Sequence, residues 1–342
     1  MKILSVIGAR PQFVKAAVFR KYCLENEVEE VLLHTGQHYD PEMSTAIFSD
    51  LDVQMPDVQY DLKSRTHAGM IAEIIQLVEA QILKIQPDLI NVYGDTNTTL
   101  AAALAAAKLN IKIMHIEAGI RSFNKSMPEE INRVLTDHVS TFLFCPTQTA
   151  VRNLMNENIT NGVVHVGDIM YDAVKNFSHK FKMPKFTKLD KAKKIAVMTV
   201  HREATVYNKL ALLEVIKFCK IFLDDYNIIF PMHPNTRRLI NDYALDVSGF
   251  ICTSPLPYLE MQGLLSEAHL VLTDSGGLQK EAYFHNCDCI TLRDETEWVE
   301  TIDKGWNRLW NCKKSNVIKA PIEDFGSGNV CSNIFNVLAN YV

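Results

Sequence analysis

No run of apolar residues reaches the roughly 18–20 that a membrane-spanning helix needs, so a helical membrane protein is excluded. Positive charge is not in excess either: the formal net charge is −5 and the pI is near 6.1. An extended nucleic-acid-binding surface is therefore not expected, and any anion site must come from a local cluster of cations. Repeats with periods of about 20–50 residues are absent, which sets aside solenoid and collagen-like architectures. There is no signal-peptide pattern, and the eight cysteines follow no repeated spacing. They are expected to be reduced thiols in a cytoplasmic protein. Cys287 and Cys289 lie close together in a strand-like run and read as core packing rather than metal ligation. The carboxylates and histidines lack a ligand spacing such as H-E-x-x-H, so no metal is expected.

What the sequence does contain is enough apolar residue to bury a large core: 47% of 342 residues are hydrophobic and 22% are charged. At about 100–200 residues per domain, two domains are expected. Short β-branched runs alternate throughout with amphipathic stretches of helical length, the pattern of a parallel sheet covered by helices on both faces. In the first half, strands are expected at Lys2–Ile7, Glu30–His34, Asp88–Tyr93, Lys112–Ile116, Thr141–Cys145 and Val163–Val166. Helices are expected at Pro11–Leu24, Ser44–Leu51, His67–Ile85, Thr98–Lys108, Pro128–Val139, Thr147–Asn156 and Ile169–Phe177. Lys180–Lys194 is basic, contains Pro184, lacks an apolar period and reads as a linker. A second series follows, with strands Lys194–Val200, Asn227–Pro231, Phe250–Thr253, His269–Thr273 and Cys289–Leu292. Its helices are read near Lys209–Leu223, Asn235–Asp242, Tyr258–Ser266 and Leu278–His285, and a final one over Gly328–Tyr341. The domains are set at residues 1–170 and 171–326. Two doubly wound domains are expected to face a cleft and bind ligand beyond the carboxyl ends of their strands.

Unusual polar residues collect at those strand ends. The first strand runs into Gly8-Ala9-Arg10-Pro11, with Lys15 one turn into the next helix, so a helix N-terminus and two cations converge as in an anion pocket. The G-x-G-x-x-G fingerprint is missing, which disfavours a nicotinamide cofactor, and no cofactor is expected. Asp95 follows the strand Asp88–Tyr93 and Glu117 follows Lys112–Ile116. Asp95 also suits a helix N-cap, but like charges on neighbouring strand ends raise one pKa and make an acid or base available near neutrality. Glu129 lies in Ser126-Met127-Pro128-Glu129, which fits a capping box, and Glu129 and Arg133 have the spacing of an i, i+4 ion pair. In the second half, His201-Arg202 and His233-Pro234-Asn235 end two strands with arginines nearby, suggesting a second anion-handling surface. Ser275-Gly276-Gly277 opens a helix whose free N–H groups suit a diphosphate, and Glu281 is placed to accept from a ribose diol. For each of these a plain βα turn or a solvated surface charge is the structural alternative.

Taken in order, the motifs resemble a known family. They are GARPQ with Lys15, TGQH (Thr35–His38), YGDTNTTLAAALAA (Tyr93–Ala106), HIEAGIRS (His115–Ser122), MPEEINRVLTDH (Met127–His138), FCPT (Phe144–Thr147), HPN (His233–Asn235) and DSGGLQKEA (Asp274–Ala282). Together they are similar to the non-hydrolysing UDP-N-acetylglucosamine 2-epimerases over nearly the whole chain. The resemblance implies a GT-B fold of two Rossmann-like domains, with the helix in 327–342 packing back on the first, and a homodimer. It also implies inversion of C2 of a UDP-N-acetylhexosamine, by elimination of UDP to a 2-acetamidoglucal and re-addition with protonation from the other face. It assigns Asp95, Glu117 and Glu129 to catalysis, with His201 a further catalytic or phosphate-contacting group. Arg10, Lys15, Ser275, Gly276, Gly277 and Glu281 are assigned to the UDP, and Arg133 and His233 to the sugar and diphosphate region.

Four stretches depart from the family pattern. H-R-x-E-N becomes His201-Arg202-Glu203-Ala204-Thr205, and Gln37-His38-Tyr39-Asp40 differs from the Q-H-R-x run of members regulated by a second UDP-N-acetylglucosamine. Arg121–Asn124 and Arg293–Thr301 look more like the branch acting on UDP-2,3-diacetamido-2,3-dideoxyglucuronic acid. Alternatives that remain open are a hydrolysing epimerase, a GT-B glycosyltransferase and a non-catalytic sugar-nucleotide binder.

Overall fold

The run KILSVI, Lys2–Ile7, has five consecutive buried residues, as a strand covered on both faces requires, and forms β1 at the centre of the first sheet. The computed structural model describes residues 1–37, 47–64, 66–187, 189–312 and 317–340. Around β1 stand β2 (Glu29–His34), β3 (Val58–Gln59), β4 (Leu89–Tyr93), β5 (Lys112–Ile116), β6 (Phe142–Cys145) and β7 (Val163–His165). They pair in the order β3-β2-β1-β4-β5-β6-β7, and every pair is parallel. A second parallel sheet contains β8 (Lys194–Thr199), β9 (Tyr226–Pro231), β10 (Ile251–Thr253), β11 (Leu270–Thr273), β12 (Asp288–Thr291) and β13 (Asn307–Leu309), in the order β10-β9-β8-β11-β12-β13. The fold class is α/β of the GT-B type, with two doubly wound units. Strand order reverses between β1 and β4 in one sheet and between β8 and β11 in the other. At such switch points the βα loops diverge and leave room for a ligand.

The first unit comprises Met1–Ser178 and the segment from Glu323 onward, and the second comprises His179–Ile322. The helix Ile169–Phe177, assigned by the sequence boundary almost wholly to the second domain, lies in the first unit. Its Ala173, Val174 and Phe177 are buried, and Asp172 accepts a hydrogen bond from the Val330 amide at 2.8 Å. The helix Val330–Leu338 belongs to this unit too, with Phe335 stacked on Phe19 and Tyr22 at centroid distances of 5.5 and 5.0 Å. Its expected extension to Tyr341 lies outside the described residues, as does the start of the expected helix Ser44–Leu51, of which residues 47–50 are helical. Edge strands β3 and β13 are two and three residues long, too short to carry a period of their own.

The core of the first unit forms where the alanine-rich helix Asn97–Lys108 lies on the sheet. Ala101, Ala102 and Ala105 pack with Val6, Ile90 and Val92, while Ile74 and Val78 come from the helix His67–Ile85. Small side chains allow the two helices to approach closely, and each fully buried aliphatic residue stabilises the unit by about 1.5–3 kcal/mol.

A polar network lies on the opposite face of the same sheet. Ser5 donates to Glu30 at 2.5 Å, and Arg20 pairs with both Glu30 and Asp57. Burial outweighs these partners and pushes the Glu30 carboxyl up to about 7; burial does the same for Asp172. A carboxyl with a raised folded-state pKa binds more protons in the native than in the unfolded protein. Stability should therefore decline as pH rises from about 4.5 to about 7. Glu30→Gln keeps an acceptor for Ser5 and should flatten this decline; urea unfolding at pH 5 and pH 7 checks it, and an unchanged slope contradicts it.

Candidate functional site

In the first unit, the turn after β1 is welded to the turn after β4 by a buried amide. Gln12 accepts from the Gly8 and Ala9 amides at 2.8 and 2.9 Å and donates to the Tyr93 carbonyl at 2.8 Å and Thr99 Oγ1 at 2.9 Å. Gly8 is required by close approach, since a Cβ there would press on the hydroxyls of Thr35 and Thr98. Thr98 donates through both its amide and its hydroxyl to Gln37, which brings part of the TGQH run to the same rim. His38, Tyr39 and Asp40 lie outside the described residues. Arg10 opens the following helix, half-buried, and Lys15 is buried one turn further on.

Lys15 pairs with Glu117, and Arg133 pairs with Asp95. The two carboxylates thus each meet a cation. The Lys15–Glu117 pair is mostly enclosed, with side-chain exposures of 9% and 13%, while Asp95 is open at 34%. Glu117 has φ +74°, a left-handed conformation that costs a non-glycine residue about 1–2 kcal/mol. It is held there by donation from its own amide and that of Ala118 to the Phe144 carbonyl, at 3.0 and 3.1 Å. Strain of this kind re-aims a side chain, here toward Lys15.

The capping box expected at Ser126 and Glu129 does not form. Pro128 takes the first helical position, which makes Met127 the cap, and the Ser126 hydroxyl instead donates to Asn124 at 2.6 Å. Glu129 is exposed and makes no hydrogen bond or ion pair among the described residues. Arg133 reaches Asp95 and Glu130 rather than forming the expected i, i+4 pair, with Glu130 at 3.3 Å. The sequence reading missed Glu130, because in a Glu-Glu pair at a helix start only the direction of the chain entering the helix decides which side chain is buried.

Beneath these residues lies a second missed group. His115 is wholly buried on β5; its Nδ1 is 2.7 Å from Asp137 and its Nε2 is 2.7 Å from the Gly94 carbonyl. Asp137 also accepts from Arg121 at 2.7 Å and from the Gly119 amide at 3.1 Å, and Arg121 forks onto Glu157 with two 2.7 Å bonds. Burial disfavours an ionised Asp137, yet His115 and Arg121 hold its carboxyl below the usual carboxylate range. A single carboxylate therefore ties the turn carrying Asp95 to the turn that follows Glu117. The only hint in the sequence is polar residues set within buried runs.

In the second unit, the ends of β8 and β11 are joined through Asp274. Its buried carboxylate accepts from the His201 and Arg202 amides, both at 2.9 Å, and lies 3.3 Å from His201 Nδ1. The imidazole itself is about half exposed, at 46%. The segment that departs from the family motif forms a short helix, Glu203–Val206, so the chain after His201-Arg202 stays ordered. Ser275 caps the helix Gly276–Phe284 through its hydroxyl, which accepts from the Leu278 amide at 3.5 Å. Gly276 is backed by Glu297 and Trp298, whereas nothing lies within 4 Å of where a Gly277 Cβ would stand. Gly277 has no positive φ either, so the fold itself does not demand a glycine there. Lys280 is buried with its ammonium 4.0 Å over the Trp298 ring.

Glu281 accepts from Gln262 at 2.7 Å, and Gln262 accepts from His285 at 2.7 Å. Burial pushes His285 down to about 4, so its ring is a neutral donor that fixes the Gln262 amide, and hence the acceptor side of Glu281. His233 caps the helix Pro234–Asp242, its Nδ1 accepting from the Asn235 amide at 3.3 Å, and its side chain is exposed. A cavity of about 480 Å³ lies elsewhere, near the amino ends of β4, β5 and β6, lined by Pro87, Leu89, Ile111 and Phe142 among others. It contains none of the candidate site residues.

A family model described as UDP-N-acetylglucosamine 2-epimerase matches residues 21–336. The chain is 44% identical to a "UDP-N-acetylglucosamine 2-epimerase homolog" of Methanococcus maripaludis, covering 99% of this chain and 100% of the relative. It is 41% identical to the UDP-2,3-diacetamido-2,3-dideoxy-D-glucuronate 2-epimerase of Pseudomonas aeruginosa, covering 99% of each. Among solved structures, it is similar to the Methanocaldococcus jannaschii UDP-GlcNAc 2-epimerase in complex with UDP-GlcNAc and UDP. That match has a TM-score of 0.84 and 33% identity, and covers 99% of this chain and 100% of the other.

Proposed function

The chain belongs to the UDP-N-acetylglucosamine 2-epimerase family, whose members are isomerases, and from that premise we propose that it interconverts UDP-N-acetylglucosamine and UDP-N-acetylmannosamine, or a close UDP-N-acetylhexosamine pair. The reaction balances without a redox partner. A base takes the C2 proton, the C–H pair becomes the C1–C2 double bond, and the C1–O bond breaks with its electrons leaving on UDP. Return of UDP to C1, with a proton delivered to C2 from the opposite face, completes the inversion.

What supports this reading is that carboxylates beside cations stand at the switch point of the first sheet, and that a helix N-terminus opens at the switch point of the second. Asp95, Glu117 and Glu129 act as the acid and base groups, with Lys15 and Arg133 holding two of them beside compensating charge. His201, braced by Asp274, is a further catalytic group. The Ser275 hydroxyl and the Gly276 and Gly277 N–H groups at the start of the helix serve the diphosphate, Glu281 takes the ribose, and Arg10, Lys15, Arg133 and His233 complete the binding set. A second reading, the 2,3-diacetamido-glucuronate substrate, is favoured by the 41% identical Pseudomonas relative. In either case the product is a precursor for surface polysaccharide, and we propose a homodimer working in the cytoplasm, which light scattering of the purified protein tests.

Incubation with each UDP-sugar in D₂O is the direct experiment. Deuterium at C2 with the epimeric UDP-sugar accumulating supports the proposal. Release of free N-acetylmannosamine identifies a hydrolysing enzyme instead; absence of exchange despite binding leaves a non-catalytic binder, and transfer to an added acceptor points to a glycosyltransferase. Gly277→Ala separates ligand space from folding. Alanine should stabilise the helix by up to about 1 kcal/mol and weaken UDP binding, as thermal melts and calorimetry would show; unchanged UDP affinity argues against the diphosphate site.

A further inference from the structure

The loop between β5 and the helix Pro128–Val139 displays a side chain that the fold does not use. Phe123 is 75% exposed and has φ +58°. A bulky residue in the left-handed region is an outlier, a glycine would avoid the strain, and an exposed ring gains no burial in return. The backbone that presents it is nevertheless firmly built. The Ser122 amide and hydroxyl both donate to Glu130 Oε2 at 2.9 Å, and the Phe123 amide donates to Glu130 Oε1 at 2.9 Å. Glu130 is 3% exposed, and the same Oε2 lies 3.3 Å from Arg133, whose guanidinium holds Asp95. One buried carboxylate thus links the presented ring to a catalytic ion pair.

We propose that Phe123 is a specificity-determining residue whose ring packs against the substituents beside C2 of the bound sugar, the 2-acetamido group and the group on C3. This rests on the function proposed above: Asp95 attends C2, so a residue tied to Asp95 through Arg133 and Glu130 is placed for the neighbouring ring positions. An aromatic face gains more from an acetamido methyl than from a hydroxyl, because it removes more apolar surface from water. The ring therefore favours an N-acetyl substituent on C3 over a free hydroxyl. Glu130 is the positioning residue that sets the ring and Arg133 together.

Kinetics of Phe123→Ala and Phe123→Gly with UDP-N-acetylglucosamine and with its 2,3-diacetamido uronic counterpart test this. Phe123→Ala should raise KM about tenfold for the sugar that the wild type turns over, corresponding to about 1.4 kcal/mol. Where both are substrates, the diacetamido sugar should lose more. The Kd for UDP should stay within about twofold, as expected if the nucleotide contacts are untouched, and Phe123→Gly should melt no lower than wild type. An unchanged KM overturns the proposal. So does a rise in KM matched by the same rise in Kd for UDP, or a change in oligomeric state with KM unchanged, which would make the ring an interface residue. Wild-type inactivity on both sugars fails the functional reading and this proposal with it; wild-type activity with a normal Phe123→Ala fails the proposal alone.

Discussion

Glu117→Gln should slow C2 hydrogen exchange by about 10²–10⁴-fold, the range over which a positioned acid or base contributes. The substitution removes one proton acceptor and little else. Its amide oxygen can still accept from Lys15, so the buried ammonium keeps a partner and the fold should survive. Asp95→Asn should act similarly, because the amide oxygen remains opposite Arg133. Glu129→Gln gives the cleanest separation of rate from folding. Glu129 is exposed and makes no hydrogen bond or ion pair among the described residues, so its replacement should change stability by no more than about 0.5 kcal/mol. Turnover measured beside urea unfolding for all three variants decides the matter: ordinary turnover in each would refute the site.

Asp137→Ala should produce the largest loss of stability, about 3–5 kcal/mol, the usual cost of leaving a buried charge without its partner. It would leave His115 Nδ1 without its partner in the core, take from Arg121 one of its two carboxylates, and release the Gly119 amide. The melting temperature should fall by about 4–7 °C for a protein of this size. Activity should fall as well, since a shift of about 1 Å in the turns bearing Asp95 and Glu117 is enough to cost about 100-fold. The carboxyl is held below its usual range, so its contribution is present above the unfolded-state pKa of an aspartate and is lost on acidification below it. A destabilisation under about 0.5 kcal/mol would show that His115 and Arg121 do not depend on it.

The sheets were legible in the sequence because a strand buried on both faces leaves a mostly apolar run, as in Lys2–Ile7 and Leu89–Tyr93, each with a single small polar residue, Ser5 and Asn91, inside it. The polar residues of the rim were legible too, since each interrupts the pattern at the end of such a run. Local chemistry at a helix entrance was not. Pro128 moves the cap by one residue and thereby exchanges the environments of Glu129 and Glu130. The tie between His115 and Asp137 joins a strand to a helix 22 residues later, a separation that no local period reports. Nor could spacing show that Arg133 would choose Asp95, 38 positions away. The helix Ile169–Phe177 was assigned across the boundary because its amphipathic pattern marks a buried face without naming what covers it.

The division of the chain into units also bears on how it comes to be folded. The first unit is interrupted in sequence by the whole of the second, and the helix Val330–Leu338 is its latest contribution. During synthesis at about 5–20 residues per second, the surface around Phe19, Tyr22 and Asp172 must wait on the order of ten seconds for that helix to emerge. A nascent chain therefore carries an exposed aromatic patch at a time when its central sheet can already assemble. Chaperone capture, or aggregation of chains stalled before Val330, would be concentrated in that interval.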